Sequence, residues 1–552
     1  MERLLQETTL GPANEQDTAH AAATGAAQLD RLIAALRDPA RYPHAVSRVE
    51  LLQTHISCVL LAGDYAYKIK KPLDLGFLDF SALEARRHFC EEELRLNRRT
   101  APGLYLEVIA IGGSAAAPVL GGGGAAIEYA LRMRRFEQDD LLDRMARRGA
   151  LAPRHIDALA AGLAAFHARI GRAAPGDAFG SPAHILAPAA QNFEQLLPLA
   201  HAETDLALLA RLRDWTLREH AALAPVFEAR QREGRVRECH GDLHLGNIAL
   251  IEGVPTPFDC IEFNPDFRWI DVMNEVAFLV MDLFDHRAPR LAFRFLNAYL
   301  EHTGDYTGLR VLRFYCVYRA LVRAKVSCLR AHQADLAGRE ISALQHEHRR
   351  HLRLAERLAV STRAALLIMH GLSGSGKSVL SQVLLEELGA VRLRSDVERK
   401  RLFGLAPHAR SGSALDAGLY RPGASERTYA RLAELARSVL AAGYPVVVDA
   451  AFLQRRQRER FAGLARDAGV HFVIAACSAA PATLRARVAA REREAHDASE
   501  AGLAVLAHQF ATAQPLAQEE TGYTLSIAAE PGLAAPDIAA LARRLGLARE
   551  PP

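Results

Sequence analysis

Eight residues, GLSGSGKS at 371–378, constrain this chain more than any other stretch. Gly371, Gly374 and Gly376 let the backbone turn so that N–H groups converge, and Lys377 and Ser378 complete a Walker A pattern. Such a loop works only where a buried strand runs into it and a helix runs out of it. The flanks supply both, ALLIMH at 365–370 before the loop and VLSQVLLEEL at 379–388 after it. Further on, VRLR, YPVVVDA, HFVIAAC and YTLSI alternate with helical stretches, the order of a parallel sheet covered by helices on both faces. The loop and first helical turn, with Ser375 and Val379, are expected to cradle phosphates. Lys377 is expected to reach the β/γ-phosphates and Ser378 to bind Mg²⁺, so ATP and Mg²⁺ are the expected cofactors.

Residues downstream of the loop narrow its type. Asp396 and Arg399 in LRSDVERKRLFG stand just after the second strand, where a carboxylate activates an acceptor hydroxyl and an arginine orients it. Asp449 ends the run PVVVDA, a position suited to water-mediated Mg²⁺ binding or substrate contact. Arg487 and Arg491 stand one helical turn apart, as charge-neutralising lid arginines would. In this order the set resembles the small P-loop kinases that include gluconate kinase, chloramphenicol phosphotransferase, the zeta toxins and the kinase module of polynucleotide kinases.

The first half carries a second, unrelated constellation. In CHGDLHLGNI at 239–248, His240 and His244 have the spacing of two zinc ligands on one helix face, but Gly241 breaks a helix and the glutamate of an HExxH motif is missing. Phosphoryl transfer instead requires a carboxylate for the hydroxyl proton, an amide and a second carboxylate on Mg²⁺, and a cation on the α/β-phosphates. Asp242, Asn247, Asp259 in PFDCIEF and Lys68 in the strand AYKIK supply these. Glu84, on the following helix, is expected to hold Lys68. Lys70, on the same strand face, is the alternative clamp; the spacing to Glu84 favours Lys68. His240 and Asp271 are expected to fix the loop, and His167 to be a satisfied core histidine. The tract GGSAAAPVLGGGG at 112–124 lacks a following helix and reads as a hairpin loop, not a phosphate cradle.

The HGDxxxxN segment and downstream aspartate resemble the aminoglycoside phosphotransferase and choline kinase superfamily over residues 40 to 345. The resemblance implies a bilobal, protein-kinase-like fold. FDCIEFN replaces the commoner IDFG or IDWE, and no glycine-rich loop precedes Lys68. The two halves together are similar to bacterial fusions of an aminoglycoside phosphotransferase-like kinase with a P-loop kinase. The expected fold class is therefore α/β and α+β: a mobile tail at 1–25, a kinase-like domain at 26–344, a helical linker at 345–362 and a P-loop domain at 363–552.

Bulk properties bound the rest. At 552 residues and 50% hydrophobic, the chain exceeds a single core. The longest apolar runs are too short to span a bilayer and the start lacks a signal-peptide core, so a cytoplasmic location without membrane contact is expected. Seven cysteines without a CxxC pair read as buried thiols. Lysine occurs only at 68, 70, 71, 325, 377 and 400 in an arginine-rich chain, which draws attention to each ammonium. Net charge is −2 before residue 351 (42 basic, 44 acidic) and +6 after it (26 basic, 20 acidic). The positive half favours a polynucleotide 5′-hydroxyl acceptor, and the lack of aromatic residues among its basic stretches favours a small-molecule hydroxyl acceptor. A different class of function, a nucleotide-dependent sensor or scaffold with one domain binding ATP without transfer, is the remaining alternative.

Overall fold

The computed structural model describes residues 25–74, 78–122, 124–200, 202–332, 337–361, 363–406, 409, 422–494, 502–528 and 535–547. The expected tail lies outside them up to residue 24. Two compact units form, one from the chain up to Gly149 with Arg237–Ile270, the other from Ala150–Val236 with Asp271 onward.

In the first unit, helix α1 (residues 25–36) precedes β1 (Val49–Gln53), β2 (Ser57–Ala62), β3 (Tyr65–Lys70), α2 (Leu83–Asn97), β4 (Tyr105–Ser114), β5 (Ala117–Leu120), β6 (Glu128–Arg134) and α3 (Leu142–Arg147). The six strands make one antiparallel sheet in the order β1-β2-β3-β6-β4-β5. Leu29, Leu32, Ile33 and Leu36 recur at helical spacing along α1 and bury against Tyr67 and Ile69 of β3. The pleat sends Lys68 and Lys70 to the opposite face of the same strand. Gly63 makes the β2–β3 turn with φ +58, where a Cβ would stand 2.7 Å from the Ala45 carbonyl. The glycine tract is a hairpin in which Gly112 and Gly113 belong to β4 and Ala117–Leu120 form β5.

In chain order the helices α4 (Pro153–Arg169), α5 (Pro182–Leu196) and α6 (Glu203–Arg232) follow. Two three-residue strands, β7 (Val236–Glu238) and β10 (Trp269–Asp271), then bracket in sequence the HGD segment and a hairpin of β8 (Ile248–Ile251) and β9 (Val254–Pro257). Helices α7 (Val272–Asp285), α8 (Pro289–Thr303), α9 (Leu309–Ala331) and α10 (Gly338–Ala359) come next. Within the second unit, His167 of α4 is 3% exposed and is satisfied by the Tyr299 hydroxyl at 2.8 Å and Glu275 at 2.7 Å, the core histidine that was expected.

The second unit also contains the parallel sheet, built from β11 (Ala365–His370), α11 (Lys377–Leu388), β12 (Val391–Arg394), α12 (Ser395–Leu402), α13 (Pro422–Ala441), β13 (Val446–Asp449), α14 (Arg455–Asp467), β14 (His471–Ser478), α15 (Pro481–Glu494), α16 (Leu503–Thr512), β15 (Thr524–Ala528) and α17 (Ala535–Arg544). The order β12-β13-β11-β14-β15 is parallel throughout, with β11 central. Its continuous apolar strands are buried on both faces, as helical cover requires. The edge strand β12 is closed by a side chain: Asn297 of α8 donates to the Ala390 carbonyl at 2.9 Å and accepts the Arg392 N–H at 2.7 Å. The amide thus pairs an edge that would otherwise stay open. Arg392 adds an ion pair to Glu301 at 2.7 Å.

All seven cysteines are buried and free. Among the described residues no helix is long and apolar enough to cross a membrane.

Candidate phosphotransfer sites

The first site lies wholly within the first unit and begins with a buried charge cluster. Glu93 of α2 is 0% exposed and accepts from Lys68 through Oε1 and from Lys70 through Oε2, both at 2.7 Å. Lys68 also reaches Asp259 at 2.5 Å, and Lys70 pairs with Glu262. Burial alone would lower the Lys68 ammonium; Asp259 and Glu93 outweigh it and hold its pKa well above the ordinary range. Burial likewise works against ionised Glu93, yet the two lysines bring its carboxyl down to about 2. Burial keeps Glu262 above its ordinary value despite Lys70.

This corrects one pairing read from the sequence. Glu84 is exposed in the first turn of α2, and the partner of Lys68 is Glu93, more than two turns further on. The signal was a helical stripe: Arg86, Cys90, Glu93 and Asn97 bury one face of α2, and a glutamate on such a face must find cations. Glu262 was also missed, three residues beyond Asp259. Lys70 and Lys68 both engage Glu93, and only Lys68 is paired with Asp259 in the structure.

The HGD segment is held by its own backbone needs. Gly241 has φ +90 and a Cβ there would come within 2.7 Å of the Phe267 carbonyl. His240, 1% exposed, bonds the Phe258 carbonyl at 2.9 Å, and its own carbonyl accepts Ile261 N–H at 3.1 Å. It therefore fixes the loop as expected. Asn247 donates to Asp242 Oδ2 at 2.9 Å, and its backbone carbonyl accepts the N–H of Phe258, next to Asp259, at 3.0 Å. Asp259 has φ +64, a strained conformation for a non-glycine, and its N–H donates to the Tyr105 hydroxyl at 3.0 Å. Asn97 accepts the next N–H, from Cys260, at 2.9 Å. An amide oxygen and a carboxylate are donor types that suit Mg²⁺, and an ammonium beside a carboxylate suits a phosphate. Among the described residues His240 and His244 belong to no cluster of three metal-ligating groups, and His244 instead accepts the Gly246 N–H at 3.1 Å. Asp271, expected to anchor this loop, is engaged elsewhere: within the second unit it caps α7 through Met273 N–H and pairs with buried Arg230.

The second site is the loop between β11 and α11. Gly371, Gly374 and Gly376 all have positive φ, and a Cβ at Gly371 would approach the Cys477 carbonyl to 2.3 Å. The Ser375 hydroxyl is buried without a hydrogen-bond partner among the described residues, and α11 offers its N-terminus, so the cradle fits an anion. Lys377 donates to the Leu372 carbonyl at 2.7 Å; burial lowers its pKa, opposed by Asp449 and Asp396, with Arg491 adding to the lowering. Asp449, Asp396 and Arg491 are therefore each near enough to act on the Lys377 ammonium. Arg487 donates to the Gly374 carbonyl at 3.3 Å, and Arg399 approaches Asp396 to 3.8 Å. Asp449, 6% exposed, accepts the Ser381 hydroxyl at 3.1 Å. Ser378 is half-buried in the first turn, while the Val379 side chain is exposed. Gln509 of α16, unnoticed in the sequence, accepts the Ser373 N–H at 2.8 Å.

Comparison with known proteins agrees with this division. A family model described as an AAA domain matches residues 366–516. Uncharacterized proteins of Mycobacterium tuberculosis and Mycobacterium bovis are each 30% identical over 465 residues, covering 83% of this chain and 89% of theirs. Similar solved structures include a Plasmodium vivax ethanolamine kinase (11% identity, 57% of this chain and 84% of that one, TM-score 0.37) and the amicoumacin kinase hAmiN (11%, 56% and 88%, TM-score 0.35). A gluconokinase from Sinorhizobium meliloti covers 33% of this chain and 90% of its own at 20% identity and TM-score 0.23. The chain belongs to the family of the mycobacterial proteins, and its C-terminal part, which carries the parallel sheet, matches the AAA domain model over residues 366–516.

Proposed function

We propose that the chain is an ATP-dependent phosphotransferase with two separate sites, each transferring the γ-phosphoryl group to a hydroxyl acceptor. The observation that carries the reading is the chain of charges Lys70–Glu93–Lys68–Asp259, in which three ion pairs aim one buried ammonium at a partly exposed carboxylate whose backbone has a positive φ. When bound, ATP·Mg²⁺ supplies the transferable group and the cation that neutralises it. In the first site Lys68 clamps the phosphates, Asn247 and Asp259 hold Mg²⁺, and Asp242 accepts the acceptor's proton; Asn247 keeps that carboxylate oriented. In the second, the loop from Gly371 to Val379 cradles the phosphates, and Lys377 neutralises them. Ser378 and Asp449 serve the metal, Asp396 acts as base with Arg399 beside it, and Arg487 and Arg491 close over the transferred group.

A small-molecule alcohol is the acceptor class this reading favours, since the basic stretches of the second half lack the interleaved aromatic residues on which nucleic-acid bases stack. Asp242→Asn tests the first site: transfer from radiolabelled ATP to a metabolite pool attributable to that site is expected to vanish while ATP affinity stays within about twofold, because the base acts on the acceptor. Retained transfer with lost ATP binding contradicts the assignment.

A further inference from the structure

Two ion pairs join β3 to the segment that carries Asp259, and they differ in what can reach them. Lys68 pairs with Asp259, and Lys70, two residues on and on the same face of the strand, pairs with Glu262. Glu93 stands between the two lysines and accepts from each. The Asp259 side chain is 42% exposed, whereas those of Lys70 and Glu262 are 1% and 4% exposed. The Phe80 ring lies 4.9 Å from the Lys70 ammonium. The first pair is therefore open to a ligand from solution and the second is closed to it.

The segment itself lies outside any strand or helix. Its successive N–H groups go to four different partners: Phe258 to the Asn247 carbonyl, Asp259 to the Tyr105 hydroxyl, Cys260 to the Asn97 side chain and Ile261 to the His240 carbonyl. Arg268 donates to the Glu262 carbonyl at 3.1 Å. Asp259 holds a positive φ, and such a conformation persists only where its surroundings over-determine it. An ion pair at each end of the segment supplies part of that constraint.

With Lys68 read as the phosphate clamp and Asp259 as a Mg²⁺ ligand, a reading on which this inference rests, the two must loosen their mutual contact to serve a nucleotide. We infer that Lys70 and Glu262 are positioning residues of the first site: their buried pair keeps the Asp259 segment docked on β3 while Lys68 and Asp259 exchange each other for ligand. Lys70 and Glu262 themselves touch no nucleotide. Glu93, bonded to both lysines, keeps Lys68 aimed throughout. Groups that hold a metal ligand from behind typically set metal affinity by about ten- to hundredfold.

The test uses the full chain carrying Lys377→Ala, so that the first site alone is left to bind nucleotide, and reads equilibrium ATP binding across a Mg²⁺ titration and again in chelator. Adding Lys70→Met is expected to raise the Mg²⁺ concentration for half-maximal ATP binding at least about tenfold, and to change Mg²⁺-free ATP affinity by less than about twofold. Methionine keeps the unbranched apolar stem and loses the charge, so a packing role alone predicts little change. Lys70→Arg, which keeps a cation for both carboxylates, is expected to recover most of the loss. Glu262→Gln carries the same expectation as Lys70→Met and keeps the test valid if hydrogen exchange shows β3 unfolded in the methionine variant. An unchanged Mg²⁺ requirement in a folded variant overturns the inference. So does an equal loss of Mg²⁺-free affinity, which would make Lys70 the clamp. If the Lys377→Ala parent binds no ATP·Mg²⁺, the reading of the first site fails and the inference falls with it.

Discussion

Replacing Glu93 with glutamine removes a carboxylate shared by two buried lysines, and its cost can be worked out in two ways. Burial opposes ionisation, but Lys68 and Lys70 bring the carboxyl from 4.5 to about 2. At about 1.4 kcal/mol per pH unit, that depression corresponds to about 3 kcal/mol of stability at neutral pH. Independently, breaking a buried ion pair by removing one partner costs about 3–5 kcal/mol. Lys68 retains Asp259 and Lys70 retains Glu262, so the lower end, about 3 kcal/mol, is expected. A chain with two compact units does not unfold in one step, so the readout must be regional. Hydrogen exchange of amides in β3 and α2 reads this unit alone. The depressed pKa sets the sign: the contribution is present above pH 4.5 and is lost as pH falls toward about 2, so the gap between wild type and variant should close over that window. A difference below about 1 kcal/mol at neutral pH, the value of an exposed pair, refutes the reasoning, as does a gap that does not change with pH.

Lys377→Ala is expected to weaken nucleotide binding by about 1.5–3 kcal/mol, roughly ten- to hundredfold, read by calorimetry. Because burial lowers the Lys377 pKa and a bound phosphate would raise it again, binding at alkaline pH should take up protons, seen as a buffer-dependent heat that Lys377→Ala abolishes. Asn297→Ala leaves the Arg392 N–H and Ala390 carbonyl unpaired and should cost about 2 kcal/mol, with faster exchange confined to residues 390–394 and their neighbours.

Much of this architecture is legible in the amino-acid sequence, because the signals are local. The Walker loop names its own strand and helix, and HGDxxxxN carries its carboxylate and its amide five residues apart. The pairing of Lys68 is not local. Counting sixteen residues from Lys68 leads to Glu84, but the helix face, set by Arg86, Cys90 and Asn97, turns Glu93 inward and leaves Glu84 in solvent. Glu262 could have been suspected from the second lysine, since Lys70 also points away from the apolar face of β3 and a buried ammonium needs its own carboxylate. Asn297 and Gln509 carry no sequence signal at all. Each satisfies a backbone group more than ninety residues distant, and only tertiary packing reveals which asparagine or glutamine meets an orphaned N–H.

Counting bound nucleotide tests the central claim of two autonomous phosphate sites without knowledge of the acceptor. Equilibrium binding of ATP·Mg²⁺ to the full chain should give two equivalents; Lys68→Ala and Lys377→Ala should each remove one and leave the affinity of the other unchanged, and the double variant should bind none. A single equivalent in the wild type, or the loss of both on changing either lysine, would contradict the account.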